Sequence, residues 1–119
     1  MQIKNIQKSN YFTAIDGCQI TELFGLKTNS LKETSLAYAI AKPGQKTAEH
    51  RHNFLEIYTV VKGRGVMHLN KESSEIKAGE SVLIDKQNKH FIENSGKENL
   101  EFYCICVPAF TEQESEIEE

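Results

Sequence analysis

Short runs rich in β-branched, aromatic and other apolar residues recur about every ten residues along this chain, each closed by a turn signal. No helical stripe long enough to cross a parallel sheet lies between them. The pattern restricts the chain to an all-β fold with antiparallel neighbours, a single β-barrel or double-stranded jelly roll. The first clear run, residues 19–25, follows an Asp16-Gly17 turn. In residues 35–41, Leu36, Tyr38 and Ile40 alternate with Ala37, Ala39 and Ala41, giving one bulky and one small face, as a strand inside a narrow barrel requires. Pro43-Gly44 ends that run. Residues 62–65 and Asn70-Lys71 mark two reversals, read as hairpin turns. Pro108, which has no amide hydrogen for a ladder, ends the last strand.

With 119 residues the chain is long enough for one domain that buries roughly two thirds of the surface its unfolded form exposes. That domain is expected over 1–110, followed by an acidic, mobile tail over 111–119. The formal net charge is −3, yet five glutamates stand at 112–119, and without them the remainder carries +2. A body so close to neutral has neither a nucleic-acid footprint nor a basic membrane face. There is no apolar run of the length of about eighteen residues that a membrane helix needs, and the N-terminus lacks the pattern of a signal peptide. The expectation is a soluble, cytoplasmic protein.

Three cysteines, an odd number, argue against a disulfide framework and fit a reducing compartment. Cys104 and Cys106 share a strand face. They could form a soft metal pair, but the simpler reading is a buried last strand in which cysteine acts as a small apolar residue. If that face is the inner one, both thiols line the interior.

The chemistry is concentrated in residues 44–63. Residues two apart on a strand point to one face, so His50 and His52 project together and Arg51 points away. Glu56 has the same parity and opens the next strand. Two imidazoles and a carboxylate form the mixed nitrogen and oxygen donor set that suits transition metals rather than calcium. His90, in residues 79–94, supplies a fourth donor if that segment lies beside the first. The competing reading of His50, His52 and Glu56 is an exposed strand-turn-strand with its polar groups in water; His90 weighs against it.

The two segments are similar to the paired motifs of the cupin superfamily. The first motif is glycine, five residues, His-x-His, three residues, Glu, six residues and glycine, and Gly44, His50, His52, Glu56 and Gly63 match it at every spacing. The second is glycine, five residues, Pro-x-Gly, two residues, His, three residues and Asn; Gly79, His90 and Asn94 fall in place. Asp85 stands where proline is usual and Gln87 where glycine is usual, which bears on the loop before His90.

The resemblance implies one cupin unit holding one divalent transition metal, whether manganese, iron, nickel, zinc, cobalt or copper, on His50, His52, Glu56 and His90. Up to two open positions remain on a six-coordinate ion for a small ligand. It implies an enzyme acting on a small carboxylate, keto or polyol substrate, of oxygenase, decarboxylase or sugar isomerase or epimerase type. The alternatives are a metal-anchored binding or sensing module and a structural role, and homodimerisation is expected on any of these. Tyr58 and Val60 share the parity of Glu56, and Ile92 that of His90. Tyr58 is a candidate to donate a proton or hydrogen bond to substrate, against the plainer reading of a packed core tyrosine. His68 matches no ligand position and is expected at the surface or rim.

Overall fold

The computed structural model describes residues 1–112 and the backbone of Ser115–Ile117. Among the described residues, eleven strands form two antiparallel sheets. The six-stranded sheet contains, in spatial order, β1 (Phe12–Thr13), β2 (Gln19–Phe24), β3 (Ser35–Ala41), β10 (Leu100–Val107), β5 (Leu55–Lys62) and β8 (Ser81–Ile84). The five-stranded sheet contains β11 (Ser115–Ile117), β4 (His50–His52), β9 (His90–Glu93), β6 (Arg64–Leu69) and β7 (Glu72–Lys77). A single helical turn, α1 (Leu26–Asn29), links β2 to β3.

The all-β antiparallel expectation therefore holds in its jelly-roll form. The sheets are not closed into one barrel, which corrects the barrel version of the expectation. Strands change sheets at corners, and a corner joins the sheets without a continuous ladder. At one, Ala78 N–H reaches the Gly63 carbonyl at 3.0 Å and Gly79 N–H reaches that of Val60 at 2.8 Å.

Residues 62–65 form such a corner rather than the expected hairpin: β5 pairs with β10 and β8, whereas β6 pairs with β7 and β9. Gly63 has φ 78°, and a Cβ there would run into the Asn99 carbonyl oxygen, so only glycine fits. The second reversal is a true two-residue hairpin, with Leu69 opposite Glu72 and Asn70 at φ 55°. Within the segment read as an acidic tail, Ser115–Ile117 pairs with β4 as β11, and residues 113, 114, 118 and 119 lie outside the described residues.

The core lies between the sheets. Ala39 and Ala41 of β3, Tyr58 and Val60 of β5, and Leu100 and Phe102 of β10 meet Met67, Ile76 and Ile92 of the opposing sheet. The small face of β3 is thus the inward one, leaving room for the aromatic rings of its neighbours. Tyr38, on the other face, donates to Glu101 Oε1 at 2.8 Å and meets the Tyr103 ring edge-on at 4.9 Å.

Candidate metal centre

At one end of this interlayer space the two sheets bring four side chains together. β4 presents His50 and His52, β9 opens on His90, which pairs directly with His50, and β5 contributes Glu56 from the facing sheet. One ligand atom from each of the four lies within 4.8 Å of the others. The ring centroids of His50 and His90 are 4.3 Å apart, those of His52 and His90 4.9 Å, and those of His50 and His52 5.6 Å. His52, Glu56 and His90 are buried and His50 is half-buried.

The backbone fixes the orientation of all three imidazoles. His50 Nδ1 lies 2.7 Å from the Ala48 carbonyl oxygen, His52 Nδ1 3.1 Å from that of Phe54, and His90 Nδ1 3.0 Å from that of Asn88. A carbonyl oxygen only accepts, so each Nδ1 carries the hydrogen and each Nε2 keeps a lone pair when the ring is neutral. This is the tautomer a metal-ligating histidine needs, held by its other nitrogen.

Glu56 Oε1 lies 2.7 Å from His52 Nε2 and 3.4 Å from His90 Nε2. The second approach lacks hydrogen-bond geometry, so His90 Nε2 is fully buried with no hydrogen-bond partner. A buried polar atom left without a partner costs about 1–3 kcal/mol, and a cation at this point would satisfy it. Burial pushes the Glu56 carboxyl up, but the hydrogen bond with His52 and the closeness of the His90 ring outweigh it and bring the pKa down to about 2. Burial, followed by the neighbouring His90, lowers that of His50. An anionic carboxylate is the state of Glu56 that receives a divalent cation.

Neighbouring residues hold these ligands in place. The Phe54 ring stacks on His52 at 3.8 Å and 11°, and Phe110 meets Phe54 edge-on at 5.5 Å. Thr47, just before β4, bonds to Ile92 of β9: its amide donates to the Ile92 carbonyl at 2.9 Å and its Oγ1 accepts Ile92 N–H at 2.9 Å. Asp16 Oδ2 accepts Ala48 N–H at 3.2 Å, steadying the carbonyl that orients His50. Asn94 donates to the carbonyls of Ala41 at 2.8 Å and Glu98 at 2.7 Å and accepts Gly96 N–H at 2.9 Å. Sequence reasoning missed Asp16, Thr47 and Phe54 as supports, because none has a distinctive spacing from the ligands.

The loop before His90 keeps its left-handed turn despite lacking glycine: Gln87 has φ 65°, and its N–H donates to the His52 carbonyl at 2.9 Å. That bond ties the loop to β4. Asn70 N–H also reaches the Lys89 carbonyl at 2.7 Å, and Lys89 N–H reaches Asn70 Oδ1 at 3.0 Å, which ties the β6–β7 turn to the same loop.

Tyr58 is buried beside the cluster, its ring 6.0 Å from that of His90 and 4.9 Å from that of Phe102. Burial first, then the Glu56 charge, raises its pKa well above the usual range, so the phenol stays protonated. Cys104 stands opposite Tyr58 and Cys106 opposite Glu56 in the β10–β5 register, so both thiols face the interior. Burial, then the Glu56 charge, pushes both thiols up. His68 lies outside the cluster, stacked on Phe91 at 4.1 Å with Nε2 2.8 Å from Glu93 Oε1. A groove of about 610 Å³ lined by Ile6, Leu23, Leu36, Tyr103 and Ile105 lies on the outer side of the six-stranded sheet, away from the histidines.

Fold and site together define a double-sheet antiparallel β protein with a three-histidine, one-glutamate cluster between its layers. The chain belongs to the cupin family, whose cupin domain model matches residues 37–106. It is 37% identical over 103 residues to an uncharacterised protein of Methanocaldococcus jannaschii, covering 86% of this chain and 82% of that one. It is 38% identical over 66 residues to an oxalate-binding protein of Thermotoga maritima, a match spanning 55% of this chain and 54% of that protein. Among solved structures, a predicted oxalate decarboxylase from Thermotoga maritima superposes with a TM-score of 0.79 at 25% identity, over 90% of this chain and 99% of that one. A Klebsiella pneumoniae protein with a double-stranded β-helix domain gives 0.82 at 19% identity, over 100% and 98%, a likeness of fold.

Proposed function

We propose that this cupin is a metal-dependent enzyme acting on a small carboxylate, and that His50, His52, Glu56 and His90 hold one divalent transition metal ion. The observation that carries the reading is the shared orientation of the imidazoles: all three Nδ1 atoms are committed to backbone carbonyls, which leaves the Nε2 atoms for a metal, with those of His52 and His90 2.7 and 3.4 Å from Glu56 Oε1. A divalent ion bound there supplies a Lewis acid to which a carboxylate or keto oxygen can bind.

The remaining work belongs to the chain's own groups. Glu56 offsets part of the cation's charge, and the packed rings of Phe54 and Phe110 shield the His52 side from water. Tyr58, kept protonated by its burial, is the candidate to hold a hydrogen bond or proton near the substrate. Of the oxygenase, decarboxylase and isomerase types, the decarboxylase is favoured by the likeness to an oxalate-binding protein and a predicted oxalate decarboxylase. Loss of carbon dioxide from oxalate monoanion leaves formate, with the carboxyl proton transferred to carbon.

The second reading is a non-catalytic module in which the metal anchors a small carboxylate, and the name of the oxalate-binding relative supports it. One experiment separates the two. The protein is purified, its metal content measured, and the loaded form incubated with oxalate while formate and carbon dioxide are followed. Formate formation supports the enzyme; retained oxalate without product supports the binding module; failure to retain any divalent metal overturns both.

A homodimer in the cytoplasm belongs to the same proposal. On the outer face of the six-stranded sheet Val61, Leu83 and Val107 are 44%, 55% and 46% exposed, separate apolar side chains that a second copy would cover. Light scattering on the eluted protein tests the dimer. Among the described residues no helix is long and apolar enough to cross a membrane.

A further inference from the structure

The Glu56 carboxylate is divided between two sets of partners. Oε1 faces the Nε2 atoms of His52 and His90 at 2.7 and 3.4 Å, whereas Oε2 lies 3.3 Å from Cys106 Sγ, which donates to it. Cys106 is 2% exposed and stands between two strands, opposite Glu56 of β5 and Ser35 of β3. Ser35 Oγ accepts Phe110 N–H at 2.9 Å. The thiol hydrogen of Cys106 is directed at Glu56 Oε2.

We propose that Cys106 is a positioning residue for the metal centre: its thiol holds Glu56 Oε2 away from the cation, so the glutamate gives one oxygen and a coordination position stays open for a small carboxylate. The inference rests on the metal reading above and deepens it. Carboxylates bind divalent cations through one oxygen or both. A second Glu56 oxygen would occupy one of the positions that a substrate needs. A thiol is a weak donor, but here it is buried and directed at an ionised acceptor, which strengthens the bond. Cys104 shares the strand face but stands opposite Tyr58, with no carboxylate across from it.

The test compares wild type with Cys106→Ser, which keeps a donor, and with Cys106→Val and Cys106→Ala, which remove it. Valine preserves the volume, and alanine serves if the valine branch crowds Ser35. Each protein is loaded with Mn(II), its metal content measured, and its water-proton relaxivity recorded with and without oxalate. Circular dichroism of the metal-free forms verifies the fold. The expected result is equal relaxivity for wild type and Cys106→Ser, and an about twofold lower value at equal Mn(II) content for the donorless variants, as one of about two open positions closes. Unchanged relaxivity in Cys106→Val and Cys106→Ala overturns the role of Cys106 and leaves the metal reading intact. A drop in Cys106→Ser as large as in Cys106→Val also overturns it, since residue size and not the hydrogen bond would then matter. Wild type that retains no Mn(II) or other divalent metal overturns the metal reading, and this one with it.

Discussion

His50 and His90 stand directly opposite each other in the β4–β9 pair, with ring centroids 4.3 Å apart and both Nδ1 atoms turned to backbone carbonyls. Two sequence segments separated by four strands thereby present their Nε2 atoms to one point. The same register leaves His68 on the far side of β9, against Phe91.

Substitution by alanine should separate ligands from bystanders. His50→Ala, His52→Ala, Glu56→Ala and His90→Ala are each expected to lose bound metal on dialysis, whereas His68→Ala keeps the wild-type amount. Elemental analysis of the five proteins makes the comparison, and equal metal content in all five would refute the ligand assignment.

Removing the metal should lower stability, because an ion that binds only the folded chain stabilises it by mass action, by about 2.7 kcal/mol at a free concentration 100 times the dissociation constant. Thermal melts with and without a chelator are expected to differ by several degrees. The Glu56→Ala variant, lacking a ligand, should show little change on chelation.

The metal-free protein should lose stability as the pH falls. The His50 pKa is lowered on folding from its ordinary 6.5, so below that value the unfolded chain takes up the proton more readily than the folded one. Glu56 acts in the same sense at lower pH: its carboxyl falls from 4.5 to about 2 on folding, and the stability it contributes is lost as pH drops from 4.5 toward 2. Denaturant titrations across this range should give midpoints that fall in two stages. A flat profile would count against the buried, anionic Glu56.

Gln87 occupies a left-handed conformation at φ 65° that costs a non-glycine residue roughly 1–2 kcal/mol. Gln87→Gly should relieve that strain, and the greater freedom of its unfolded chain offsets about 0.4–1 kcal/mol of the gain. The net effect expected is a stabilisation of about 1 kcal/mol or less. Gln87→Val, with a branched Cβ at the same φ, should lower the melting temperature and loosen the loop that bonds to the His52 carbonyl. Calorimetry of the three proteins decides the order.

The sequence by itself determined what local periodicity can carry. Alternation at 35–41 gave β3 one bulky and one small face, and shared parity put His50 and His52 on one side of β4. Motif spacing singled out Glu56, His90 and Asn94 before any strand was placed. The tertiary structure decided what depends on pairing between distant strands. The glycine corner at 63 resembles a hairpin turn in sequence, because both reverse the chain with φ above zero; only the partners of β5 and β6 show that it switches sheets. Cys106 reads as one more apolar residue of a last strand, and its place against Glu56 follows from the β10–β5 register. A period of two fixes which face a side chain takes, whereas the groups it meets there are set by hydrogen-bonded ladders between segments far apart in the chain.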